Sequence, residues 1–190
     1  MRTFDKDVWR QRAWDRFQRF VRKETHRSPA RGAETQWARD VIFIERLSRA
    51  VEWCTGRGLT VVFAKKPAGV FDGGNKEIVI SSRAAPERQL YYLLHEAGHF
   101  LVGLQEHHER FIAGYPAGAA DPTLKKTFKY KITCLEEELE AWHRGWKLAK
   151  RLRLGLDRES WDVVRMECLR SYAEWTTDDR GVKYDTDEVG

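Results

Sequence analysis

Apolar positions recur at helical spacing in five stretches of the 190-residue chain and crowd together at strand length in two more. Trp9, Ala13, Phe17, Phe20 and Val21 form a stripe over residues 5–24, ringed by Arg10, Arg12, Arg16 and Arg19. Ser28-Pro29-Ala30-Arg31-Gly32 breaks that period and is predicted to be a connector. A second helix is predicted from about Glu34 to Cys54, with Trp37, Val41, Ile44, Leu47 and Val51 inward, ended by Gly56 or Gly58. Leu59 to Ala64 and Glu77 to Ser81 are short, apolar and β-branched, so both are predicted strands. Between them, Lys65 to Asn75 holds Pro67, Gly69, Gly73 and Gly74 and is predicted to be a turn-rich loop. The chain then runs directly into a third helical stripe of Leu90, Leu94, Ala97, Leu101 and Leu104. Pro86 suits its first position, since proline has the φ of a helix start and lacks an N–H that would be unpaired there.

The second half is less regular at first. Gly114, Pro116, Gly118 and Pro122 mark a loop, and Thr127 to Ile132 alternates Phe128, Tyr130 and Ile132 with two lysines, as a short strand or extended rim would. Leu124, Phe128, Ile132 and Leu135 also fit one long helix from Pro122. The capping box Thr133-Cys-Leu-Glu136 favours a helix from Thr133 to about Arg153, stopped at Gly155. A last helix, about Asp157 to Trp175, is expected to bury Trp161, Val164, Cys168, Tyr172 and Trp175.

These elements predict an α+β fold, mostly helical, with a small β-sheet beside the third helix and helices before it. Three parts are expected: a basic helical arm over residues 1–31 packing on the main domain, that domain over 32–176, and an acidic, flexible tail over 177–190. Charge follows this division. The net charge of +5 is the balance of +6 over residues 1–31 and −4 over 174–190, among other regions. A basic arm favours acidic partners, nucleic acid included. An ordinary solvated helix face accounts for the pattern equally simply and is the preferred reading. Cys54, Cys134 and Cys168 are odd in number and have no Cys-x-x-Cys spacing, which argues against a disulfide framework or a zinc knuckle. With no apolar leader and no run of membrane-spanning length, the expectation is a cytoplasmic, soluble protein without a membrane partner.

Chemistry concentrates in the third helix, as His95-Glu96-Ala97-Gly98-His99. Residues four apart project from one helical face, so both imidazoles can reach one Zn²⁺. Glu96 leaves the helix beside them, where a carboxylate can take a proton from a zinc-activated water. The helix is apolar on both sides of the motif, and buried charge is costly unless paired or metal-bound. A catalytic zinc usually takes three protein ligands. On the following helix the stripe Leu135, Leu139, Trp142, Trp146 and Ala149 encloses Glu138, at about 100° per residue. Glu138 is therefore the expected third ligand. Glu136 and Glu140 face solvent, and Glu137, at the margin, is the fallback. A buried arginine partner for Glu138 is the alternative to zinc. His107 and His108 also compete, although Gln105 and Val102 stand where a metzincin has its third histidine and its glycine.

The order strand, Pro/Gly-rich loop, Ile78-Val-Ile80 strand, Leu94-His-Glu-Ala-Gly-His99 helix and Glu138-Leu-Glu-Ala141 helix resembles the ImmA/IrrE-type short zincin metallopeptidases. The resemblance spans about residues 57–152. That family often has Asn or Asp after the alanine, where this chain has Trp142. More distantly the chain resembles the SprT-like proteases that act on DNA-bound protein. The nearer resemblance implies a cytoplasmic regulatory peptidase acting on a protein or peptide, transcriptional regulators among them.

Two functions follow as expectations. The first is a zinc-dependent endopeptidase with Glu96 as general base and Tyr115, Tyr130 or His143 steadying the oxyanion. The second is a catalytically silent zincin-fold module that binds a protein or DNA partner. The strand before the metal helix is expected to offer its free edge to an extended peptide.

Overall fold

The computed structural model describes residues 31–65, 69–104 and 108–177, without the side chains of 31–35 and 108. The predicted helix over 5–24, most of the basic arm and nearly all of the acidic tail lie outside the described residues. Helix α1 (Arg31–Thr55) is followed by β1 (Thr60–Ala64), β2 (Val70–Asp72), β3 (Glu77–Ser81) and α2 (Pro86–Gly103). After a 3₁₀ turn at His108–Phe111 come α3 (Tyr115–Ala120), a second 3₁₀ turn at Pro122–Lys126, α4 (Phe128–Arg151) and α5 (Arg158–Thr177). The fold is α+β and mostly helical, with one small sheet, as the patterning predicts. None of its described helices is long and apolar enough to cross a membrane.

The sheet has the order β1-β3-β2, with β3 parallel to β1 and antiparallel to β2. Two expectations change here. The loop from Lys65 to Asn75 contains a strand, β2, too short for its alternation to stand out among glycines. Strand β3 is paired on both sides, so it has no free edge; β2 holds the edge beside α2. Centrality explains the composition of β3: Ile78, Val79 and Ile80 are all buried, as a strand covered on both faces requires.

Helix α2 is sunk between the sheet and the other helices. Leu90, Leu93, Leu94 and Ala97 are fully enclosed, while Leu104, counted in the stripe, lies past the helix end and is exposed. Pro86 is at the helix start, as expected. Ala85 offers no side-chain cap there. The Gln89 side-chain amide donates to the Ser81 carbonyl at 2.9 Å, which ties the first turn to β3. The core spreads outward from α2 through Ile44, Leu47, Trp142, Leu148 and Trp161.

Helix α4 begins five residues before the predicted Thr133. Thr127 is its N-cap, accepting from the Tyr130 N–H at 3.2 Å, and Thr133 instead donates to the Lys129 carbonyl inside the helix. The strand-like alternation over Thr127 to Ile132 therefore lies in the cap and first turn of a helix, where Tyr130 is buried and Phe128 exposed. The buried face is also rotated from the predicted one: Leu139 is exposed, and Cys134, Glu138, Ala141, Trp142, Gly145 and Leu148 point inward. On α5, Trp161 and Val164 are buried as expected, whereas Cys168, Tyr172 and Trp175 are only partly covered.

Two glycines set how closely α2 and α4 approach. A Cβ on Gly98 would lie 2.0 Å from the Ala141 carbonyl oxygen, and one on Gly145 would lie 2.5 Å from that of Leu94. Backbone therefore packs on backbone across this interface. That contact brings residue 138 of one helix against residues 95 and 99 of the other.

Candidate metal centre

His95 and His99 stand one turn apart on α2, their ring centroids separated by 4.8 Å. Glu138 reaches them from α4: its Oε2 lies 3.2 Å from His95 Nε2 and its Oε1 lies 3.4 Å from His99 Nε2. One carboxylate thus faces the Nε2 atoms of both rings, and it is 3% exposed. Glu96 also presents an oxygen within 4.8 Å of both imidazoles. Glu138 is the better placed ligand because it lies directly between the two nitrogens. The carboxylate of Glu96 turns toward the sheet edge, where the Phe71 N–H donates to it. Gly69 makes room for that orientation, since a Cβ there would lie 2.7 Å from Glu96 Oε1.

Behind this cluster the two histidines differ. His99 Nδ1 lies 3.3 Å from Glu137 Oε1. His95 Nδ1 is buried and has no hydrogen-bond partner among the described residues. Its ring stacks on Trp142 at 4.4 Å between centroids and 19° between planes. Trp142 thus gives the His95 ring a flat apolar support and no hydrogen-bond acceptor. Tyr115 donates to Glu138 Oε1 at 2.6 Å, and its oxygen lies 3.3 Å from the Tyr172 hydroxyl.

These groups line one cavity of about 540 Å³ that opens between β2 and the segment from Phe111 to Pro116. Among the described residues its charged lining consists of Glu96, Glu137 and Glu138 with the two histidines, and no lysine or arginine. The electrostatics reflect that crowding. Burial pushes the Glu96 carboxyl above its usual range, outweighing the two imidazoles beside it. Burial also opposes a charge on His99, but hydrogen bonds to Glu137 and Glu138 overcome it and raise the imidazole to about 10. For Glu138 burial again works against the charge, and the hydrogen bonds from His95 and His99 outweigh it, holding the carboxyl well below its usual range. The Tyr115 phenol is pushed far up, first by burial and then by the charge on Glu138, so it remains a hydrogen-bond donor.

The donor set, two imidazole nitrogens and a carboxylate oxygen converging in one cavity, fits a divalent cation of the zinc type. The sequence reading therefore finds its four site residues together. His95, His99 and Glu138 share one focus and Glu96 stands beside it. No arginine accompanies Glu138 among the described residues; its partners are the two histidines and Tyr115. Glu137 supports a histidine from behind, His107 lies outside the described residues, and so does the side chain of His108. Of the three oxyanion candidates only Tyr115 lines the cavity. Tyr130 packs under Gly118 and against Trp175, and His143 is exposed on the far side of α4. Sequence reasoning missed Tyr172, Phe71 and Gly69. Adjacent acidic residues at 136–138 hinted at Glu137, but nothing in the spacing of Tyr172 sets it apart from a core aromatic.

No family model, curated protein or solved structure matches the chain.

Proposed function

We propose that the chain is a zinc-dependent endopeptidase, a regulatory protease of the cytoplasm that hydrolyses a protein substrate. The observation that carries this reading is the seating of the Glu138 carboxylate between His95 Nε2 and His99 Nε2, with Glu96 buried alongside and aimed at a sheet edge. His95, His99 and Glu138 would hold the metal. When bound, zinc supplies Lewis acidity, polarising a peptide carbonyl and making water easier to deprotonate.

The chain's own residues do the remaining work. Edge strand β2, apart from the Phe71 N–H that Glu96 takes, offers its outer edge to an extended peptide, which lays the scissile bond along the mouth of the cavity. Glu96 accepts a proton from the attacking water and delivers it to the leaving amine. The N–H of Phe71 keeps that carboxylate turned toward the peptide. Tyr172 brings a phenol O–H to the opposite wall, where a developing oxyanion needs a donor, while Tyr115 gives its proton to Glu138.

The test is hydrolysis of a mixed peptide library by the zinc-loaded chain and by Glu96→Gln. Glu96→Gln is expected to retain the metal and lose about 100-fold or more in cleavage rate, the usual worth of a general base. Equal cleavage by both proteins, or none by the zinc-loaded wild type, refutes the peptidase. The second outcome would leave the chain as a zinc-holding interaction module.

A further inference from the structure

Tyr115 lines the cavity but spends its hydroxyl on Glu138, a residue that would hold the metal. Glu138 presents two oxygens to two histidines, Oε2 at 3.2 Å from His95 Nε2 and Oε1 at 3.4 Å from His99 Nε2. Oε1 also accepts the Tyr115 hydroxyl at 2.6 Å. An ionised carboxylate has no proton to give, so the phenol is the donor and the two oxygens are inequivalent. Two glycines fix where that hydroxyl stands. Gly114, the N-cap of α3, lies so close to α4 that a Cβ on it would sit 3.2 Å from the Thr133 methyl group, and one on Gly118 would sit 2.4 Å from the Tyr130 ring. The short helix is thereby pressed onto the helix that carries Glu138. The Tyr115 ring stands edge-on to that of His99, with 6.4 Å between centroids.

We propose that Tyr115 is a positioning residue that sets how Glu138 meets the metal: the phenol engages Oε1, Oε2 binds alone, and one position of a tetrahedral site stays open. The inference rests on the metal centre of the peptidase reading and adds a coordination mode to it. A carboxylate released from this bond can turn and chelate a cation through both oxygens, which fills the position that a catalytic zinc keeps free. Hydrogen bonds to ligating carboxylates orient them in this way. A merely structural tyrosine would change stability and leave the coordination number alone.

The test reads coordination, so it does not depend on turnover. The full chain is loaded with cobalt(II), whose visible absorption is strong in four-coordinate sites and weak when further ligands are added, because geometry governs the metal's spectrum. The wild type is expected to show the strong, four-coordinate spectrum. Tyr115→Phe keeps the ring and removes the hydroxyl. It is expected to hold one cobalt per chain, to lose several-fold in visible absorbance, and to bind zinc about 10- to 100-fold more weakly. Tyr130→Phe removes a phenol that packs under the same short helix outside the cavity, and it is expected to keep the wild-type spectrum. Retention of one cobalt per chain shows that each variant has kept the folded site. A weak spectrum in the wild type, an unchanged spectrum in Tyr115→Phe, or an equal change in Tyr130→Phe overturns the inference and leaves the ligands and the peptidase standing. Complete loss of metal in Tyr115→Phe overturns it too, since the phenol would then govern binding itself. If the wild type takes up neither cobalt nor zinc, the metal centre and the peptidase reading fall together.

Discussion

At the scale of single residues, the two histidines have unequal support. Glu137 lies behind His99 at 3.3 Å, whereas His95 rests on the face of Trp142 with its Nδ1 unpaired among the described residues. A carboxylate behind a ligating imidazole fixes its orientation and raises its basicity, and losing such a partner typically costs about 10- to 100-fold in metal affinity. Glu137→Ala should therefore weaken zinc binding by about that factor, measured by competition with a chromophoric chelator. Glu140→Ala is the control, since Glu140 pairs with Arg144 away from the cavity, and it should leave zinc affinity unchanged. His95, Glu96, His99 and Glu138 were legible because a single helix period decides which residues share a face. Glu137 was not, because its role depends on how α4 crosses α2, and that is a property of two helices together. The same limit hid Tyr172, whose helix contributes only one residue to the site.

At the scale of elements, the site depends on the contact between α2 and α4. Gly98→Ala places a methyl group 2.0 Å from the Ala141 carbonyl oxygen, a position the helix backbone cannot yield without moving. Overpacking of this kind costs typically about 1–3 kcal/mol and here should reach the top of that range or exceed it. The same separation draws Glu138 away from the histidines, so chemical denaturation and zinc titration should both register the change. The glycine stands inside the metal motif, yet its necessity comes from the helix opposite. Thr127 makes a separate prediction. As the N-cap of α4, its replacement by alanine should cost about 1 kcal/mol, and Thr133→Ala should cost less because Tyr130 and the first-turn amides do not depend on it. The start of α4 was misread for a physical reason. Thr133-Cys-Leu-Glu136 has the residue types of a capping box, but the true cap, Thr127, follows a 3₁₀ turn whose residues show no helical period of their own.

At the scale of the whole molecule, the core and the metal site occupy different sides of α2. Leu90, Leu93 and Leu94 face Ile44, Leu47 and Trp161, while His95, Glu96 and His99 face the cavity. The fold should therefore survive removal of the metal. Binding to the folded state alone adds about 4 kcal/mol at free zinc a thousandfold above its dissociation constant, which for a chain of this length is roughly 10 °C in melting temperature. Stripping zinc with a chelator should lower the melting temperature by that order without abolishing cooperative unfolding, and His95→Ala should abolish the zinc-dependent increment. Class, sheet and the helix that carries His95 and His99 were readable from periodicity, whereas the sheet order was not: placing β3 between its neighbours requires knowing that three residues in a glycine-rich loop pair with it. The central claim is that His95, His99 and Glu138 hold one zinc ion. The most direct measurement is anomalous diffraction at the zinc absorption edge from crystals of the zinc-loaded chain. One peak per chain at about 2.0–2.2 Å from His95 Nε2, His99 Nε2 and a Glu138 carboxylate oxygen is the predicted result. A peak at any other group of residues, or none in a cavity with this geometry, contradicts it.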